Sequence, residues 1–150
     1  MSSEIPGVKV SALPSAGPLD GSEIIVLDQA GRTKTATVSA IRGGGFTLAE
    51  HPEAYETVLA DANTGLVNPN GNGNNIYTIA SNAAVPYPLG TFLTFINRDD
   101  DKTLVVEIDT DILIWAQDGT GGQRTIAPRG IATAVKTFED EWTISGTGLS

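Results

Sequence analysis

The stretch VPYPLGTFLTFINRDDDKTLVVEI, residues 85–108, decides how the chain is read. Two prolines flank Tyr87, Gly90-Thr91 breaks the chain, and an apolar run alternates from Phe92 to Ile96. Three aspartates, Asp99 to Asp101, separate it from a second apolar run, Leu104 to Ile108. Alternation with a period of two marks half-buried strands, because successive strand side chains point to opposite faces. The aspartate triplet reads as a hydrated hairpin tip between two strands. Phe92 and Phe95 are an odd number of residues apart, so on a regular strand one of them faces outward or sits beside a bulge. Tyr87, wedged between Pro86 and Pro88, is the aromatic expected at a surface or contact.

Residues 46–150 repeat this grammar. IYTIA, LGTFLTFIN, KTLVVEI, DILIWA, GIATAVKTF and EWTISG are short β-type runs, divided by turn chemistry such as N-P-N-G, R-D-D-D and D-G-T-G-G. About eight strands with a turn at each break predict an all-β domain, an antiparallel β-sandwich or barrel. Thr47 and Glu50 have capping-box spacing, but Pro52 limits any helix there to a turn. No 3.6-residue periodicity competes, and the absence of an exact 20–50-residue repeat argues against a solenoid.

Residues 1–45 read as a separate short β-arm. VKVSAL, SEIIVLDQ and TKTATVSAI alternate as strands, with a turn-rich LPSAGPLDG and a hairpin turn at QAGR. A meander this small buries too little apolar surface to stand alone and needs copies of itself or a partner. The RGGG run at 42–45 is a flexible joint, so the domain boundary is placed between residues 45 and 46.

Composition excludes several functions. The net charge of −9 resides wholly in residues 46–150, which hold 14 acidic and 5 basic side chains, whereas residues 1–45 hold four of each. Such a surface repels phosphate backbones, so no nucleic-acid partner is expected. No apolar stretch approaches the length of a membrane span, and MSSEIPGVKV lacks the regions of a secretory signal, so no membrane partner is expected. There is no cysteine, which excludes disulfides and thiolate metal sites.

No catalytic constellation emerges, and the expectation is a non-enzyme without cofactor or metal. His51 is the only histidine and reads as a solvated loop residue. The glycines at 43–45 and 119–122 lack phosphate-loop spacing. Asp99 to Asp101, with Asp109 and Asp111, read as incidental turn carboxylates: hydrolysis needs an acid in an apolar pocket, and a calcium loop needs a glycine and a glutamate missing here. Phe92, Phe95, Trp115, Phe138 and Trp142 read as core aromatics rather than a sugar-binding cleft.

Two segments resemble modules of tailed-bacteriophage virion proteins. Residues 8–41 resemble an N-terminal attachment motif, carried here by Leu13, Pro14, Leu19, Gly21, Glu23, Gln29, Gly31, Thr33 and Thr37. Residues 55–149 resemble a phage β-domain through Tyr55, the run Leu59 to Ala62, Gly65, then NAAVPYPLGT at 82–91 and a closing strand with Trp142 and Gly146. Tyr87 and Leu66 stand where that pattern commonly has Phe and Lys.

The resemblance implies a structural protein: a homotrimer whose arm, with Leu13, Pro14, Leu19, Glu23, Gln29, Thr33 and Thr37, binds the virion while the β-domain projects outward. The leading expectation is a head cement or decoration protein on the outer surface of the particle, made in the host cytoplasm and bound to the major capsid protein or another virion protein. The alternative is a short tail-fibre or baseplate component that touches a host-surface glycan through Tyr87 or turn aspartates.

Overall fold

The computed structural model describes residues 24–29, 31–37, 45–71 and 74–150. The chain divides into two compact units, Met1–Gly45 and Phe46–Ser150. In the first, β1 (Ile24–Gln29) and β2 (Arg32–Thr37) form an antiparallel hairpin with Gln29 opposite Arg32. The two-residue connection suits Gly31, whose φ of 70° lies in the left-handed region that glycine enters freely. The strand expected over 8–13 lies outside the described residues.

The second unit is nearly all β. Its strands are β3 (Leu48–Glu50), β4 (Tyr55–Glu56), β5 (Thr64–Asn68), β6 (Asn75–Ile79), β7 (Phe92–Asn97), β8 (Leu104–Ile108), β9 (Ile112–Trp115), β10 (Arg124–Phe138) and β11 (Glu141–Leu149). All nine join one sheet in the order β3-β5-β7-β10-β8-β6-β4, with β11 on β10 and β9 on β11. The only helical element among its described residues is a 3-10 turn, Leu59–Asp61.

The expected antiparallel arrangement is overturned for most pairings. β3–β5, β5–β7, β4–β6, β6–β8 and β9–β11 are parallel; only β10 runs antiparallel to its neighbours β7, β8 and β11. The turns do not fold each strand back onto the preceding one. From β3 to β8 they carry the chain from one arm of the sheet to the other, so each of β3 to β6 pairs with the next strand but one, whereas β10 and β11 form a hairpin. The sheet is curled and open, with β3, β4 and β9 as its free edges.

The winding has a fixed step where it is longest. Thr64 lies opposite Leu93 on one arm and Asn75 opposite Leu104 on the other, so both pairs are displaced by 29 residues. Buried asparagines mark that step: Asn68 Nδ2 donates to Asn97 Oδ1 at 2.9 Å. Asn97 Nδ2 in turn donates to the carbonyls of Lys102 and Ala127, at 2.8 and 3.1 Å. The solenoid-like winding was hidden because its two turns differ in sequence while matching in length.

β10 holds the two arms together. Residues 124–126 pair with β8 and residues 131–135 with β7. Between them Arg129 takes a φ of 60°, a conformation that costs a non-glycine residue about 1–3 kcal/mol. Gly146 lets β11 close on this bent strand, since a Cβ there would stand 2.2 Å from the Ile131 carbonyl oxygen.

The core lies in the trough between the arms. Leu66, Leu93 and Phe95 meet Tyr77, Ile79, Leu104 and Val106 from the other side, with Ile126, Trp142 and Ile144 beneath. The Tyr77 and Phe95 rings are 6.5 Å apart across the trough. Burying side chains of this size stabilises by about 1.5–3 kcal/mol each, which makes the trough the main source of fold stability.

Candidate functional site

Leu13, Pro14, Leu19 and Glu23 of the expected attachment arm lie outside the described residues. Gln29, Thr33 and Thr37 fall on the β1–β2 hairpin, where Asp28 lies opposite Thr33 and Ile24 opposite Thr37.

Tyr87 corrects the expectation of an exposed contact. Only 3% of it is accessible. Its ring meets Trp142 edge-on at 5.4 Å, and its hydroxyl donates to the Val58 carbonyl at 2.6 Å. Burial pushes its pKa up to about 12. The flanking prolines fix the backbone so that the ring turns into the trough, which makes this residue an anchor of the 81–91 loop.

The aspartate triplet is likewise not a hydrated tip throughout. Asp99 is 2% exposed and accepts backbone N–H groups from Asp101, Lys102 and Gly71 at 2.9, 2.8 and 2.9 Å. Those donors, Asp101 first, hold its carboxyl below the usual range. A carboxylate saturated by three amides is a turn cap, unsuited to act as base or ligand. Asp100 is exposed, accepts Asn70 Nδ2 at 2.8 Å and Arg129 Nε at 2.7 Å, and so ties the turn to the bend of β10. Asp100 and Asp101 are both exposed, so the solvated description fails only for Asp99. Among the described residues no three His, Asp or Glu side chains cluster as metal ligands.

His51 is half-buried rather than solvated. Its ring stacks on Tyr55 at 3.5 Å, its Nε2 is enclosed without a hydrogen-bond partner, and burial lowers its pKa, opposed by the nearby Asp61 charge. Asp61 accepts the Tyr55 hydroxyl at 2.9 Å and the Val58 N–H at 2.8 Å. The cluster locks the 3-10 turn against β4.

Lys136 is the functional-looking residue that the sequence reading missed. Its even spacing from Ala132 and Ala134 turns it inward, and it is 2% exposed. Its Nζ donates to Asn82 Oδ1 at 2.6 Å and lies 5.7 Å from the Trp142 ring centre. The Asn82 N–H donates to Asp111 Oδ2 at 2.8 Å. The lysine thus staples the 81–91 loop to β10 through a neutral amide and a ring face.

The surfaces that remain are the outer faces of the arms. On the arm β4-β6-β8, Ala54, Tyr55, Glu56, Ile76, Thr78 and Glu107 line an open depression of about 360 Å³. Glu107 Oε1 accepts the Thr78 hydroxyl there at 3.1 Å. On the arm β3-β5-β7-β10-β11 the outward positions are apolar or hydroxylic except at two ends, Glu50 on β3 and Glu141 on β11, whose carboxylate accepts the Thr137 hydroxyl at 3.0 Å. Phe46 stacks on Phe92 at 6.3 Å, and the Thr94 and Thr133 hydroxyls lie 3.0 Å apart. A Cβ on Gly65 would touch Leu48 and Phe46, so both side chains lie across that glycine. The nearest charges are at the rim, where Arg98 pairs with Glu50 at 3.4 Å. One outer face carries acids in its middle, and the other carries them only at its margins.

Compared with known proteins, the chain matches no family model and no curated sequence.

Proposed function

We propose that the protein is a structural, non-catalytic component of a bacteriophage virion: a homotrimeric head cement or decoration protein that binds the outer capsid and stabilises it. The N-terminal unit attaches to the major capsid protein or another virion protein, and the acidic unit projects into solvent on the outside of a particle assembled in the host cytoplasm. One observation carries the reading. The whole net charge of −9 lies on the second unit, while the first, which bears the attachment-like motif, is neutral. A neutral arm docks without long-range repulsion, and three arms on one body raise avidity without strong individual contacts. The buried polar residues of the second unit support the same reading, because Asp99, Lys136 and Asn97 are each taken up in holding loops together.

Densitometry of purified particles tests the location. Hundreds of copies per particle are expected, and about a dozen would place the protein in the tail. Removing residues 1–42 is expected to leave a folded β-domain that no longer binds particles; decoration by the truncated chain would overturn the division of labour.

A tail-fibre or baseplate role with glycan binding is the second reading. The open depression favours it, because Tyr55 offers an aromatic face beside Glu56 and Glu107. Retention on host-surface glycans, lost in Tyr55→Ala, would select this alternative.

A further inference from the structure

The sheet face built by β3, β5, β7, β10 and β11 has outward side chains that carry no charge inside its rim. Ile131 is 45% exposed, Val135 37% and Leu48 61%, and Phe46 is exposed beside them. In register, Leu48, Gly65, Thr94, Thr133 and Ser145 form one row across five strands. Glu50, Val67, Ile96, Ile131 and Thr147 form the next, in which Val67 is buried and the only charge is at the β3 edge.

We infer that this face is the surface through which copies of the chain associate with one another, an inference that rests on the trimeric reading above only for the number of copies. The charge distribution selects the occupant. Residues 46–150 carry −9 per copy, so two copies meet without opposing like charges only where the acids are absent. The other arm offers Glu56 and Glu107 on its outer face, and the β10–β11 tip offers Glu139, Asp140 and Glu141. A nucleic acid or an ionic ligand finds no counter-charge on the uncharged face. A row of threonines and branched apolar residues suits an identical row, as in an isologous or cyclic contact.

Size sets the strength. Four strands contributing about five residues each and the three-residue β3, about 4.8 Å apart at roughly 3.3 Å per residue, give a face of roughly 360 Å². That is about half of what one partner buries in a standard interface, so association through this face alone is reversible.

Sedimentation velocity of the full chain from about 1 to 100 µM tests the inference. The wild-type chain is expected to pass from monomer to oligomer within that range. Ile131→Asp combined with Val135→Asp is expected to raise the dissociation constant at least about 100-fold, and Ile76→Asp on the acidic face to leave it within about twofold. Circular dichroism establishes that each variant folds. If the double variant does not, Leu48→Asp is read in its place, with a shift of at least tenfold expected. A wild-type monomer at 100 µM, unchanged association in the folded variants, or dissociation by Ile76→Asp overturns the inference. Particle binding is scored separately: a self-associating chain that binds no phage particle leaves this surface standing and removes the virion reading.

Discussion

The two arms of one curled sheet bury the same core yet turn opposite outer faces outward. On β4-β6-β8 the outward positions mix Ile76 and Thr78 with Glu56 and Glu107. On β3-β5-β7-β10-β11 they run Phe46, Leu48, Phe92, Ile131 and Val135, with threonines between. Strand geometry fixes the inner sets equally on both arms, because every second residue must enter the trough. The outer sets are free of that constraint. The difference between them is therefore not set by the fold, and the self-association inferred above accounts for it.

The largest expected effect erases the comparison by removing what the arms share. Trp142 is fully buried under Tyr87 and beside Lys136, so Trp142→Ala is expected to cost about 3–5 kcal/mol in denaturant unfolding. A loss below about 1 kcal/mol would mean that the arms do not depend on a common core. Next comes the buried asparagine step. Asn97→Ala leaves the Lys102 and Ala127 carbonyls and the Asn68 amide without their donor or acceptor, and about 1–3 kcal/mol is expected. Asn70→Ala, at an exposed turn on the same step, is expected to cost less than about 0.5 kcal/mol.

Proton linkage probes the trough without mutation. Burial raises Tyr55 and Tyr87 to about 12, and Tyr77 is raised as well. A phenol whose folded pKa exceeds its unfolded value near 10 keeps its stabilising contribution below pH 10 and loses it as pH rises toward 12. His51 has the opposite sign. Its folded pKa lies below the unfolded 6.5, so stability is full above pH 6.5 and falls as pH drops below it. Denaturation midpoints from pH 5 to 11 should fall at both ends, and His51→Gln should flatten the acid side alone. An acid limb unchanged in His51→Gln would remove His51 as its cause.

The smallest expected stability effects lie on the outer faces themselves. Val135→Asp and Ile76→Asp are each expected to change monomer stability by no more than about 0.5 kcal/mol, because both side chains already meet solvent.

Much of the β-content was legible in the sequence. The alternation in FLTFIN and LVVEI, and the Gln29–Arg32 turn, mark strands and a hairpin where they occur. The odd spacing of Phe92 and Phe95 also resolves as sequence requires: Phe95 is buried and Phe92 faces out against Phe46. Strand pairing was not legible, because a turn that returns the chain beside its own strand and one that carries it to the opposite arm use the same Asn, Asp and Gly residues. A usable signal existed in the equal spacing of TGLVN…NIYTI and FLTFIN…LVVEI, with Asn68 and Asn97 at matching places. Tyr87, Asp99 and Lys136 were misread or missed for one reason. Composition marks proline-flanked, acidic and basic residues as exposed, whereas long-range packing and backbone donors bury these three.

The division between the faces is tested most directly by placing the same charge on each of them in turn. Sedimentation of Val135→Asp and Ile76→Asp, at a concentration where the wild-type chain is associated, should give a monomer for the first and an unchanged oligomer for the second. Equal behaviour of the two variants, or dissociation by Ile76→Asp alone, would contradict the assignment of the uncharged face to self-association.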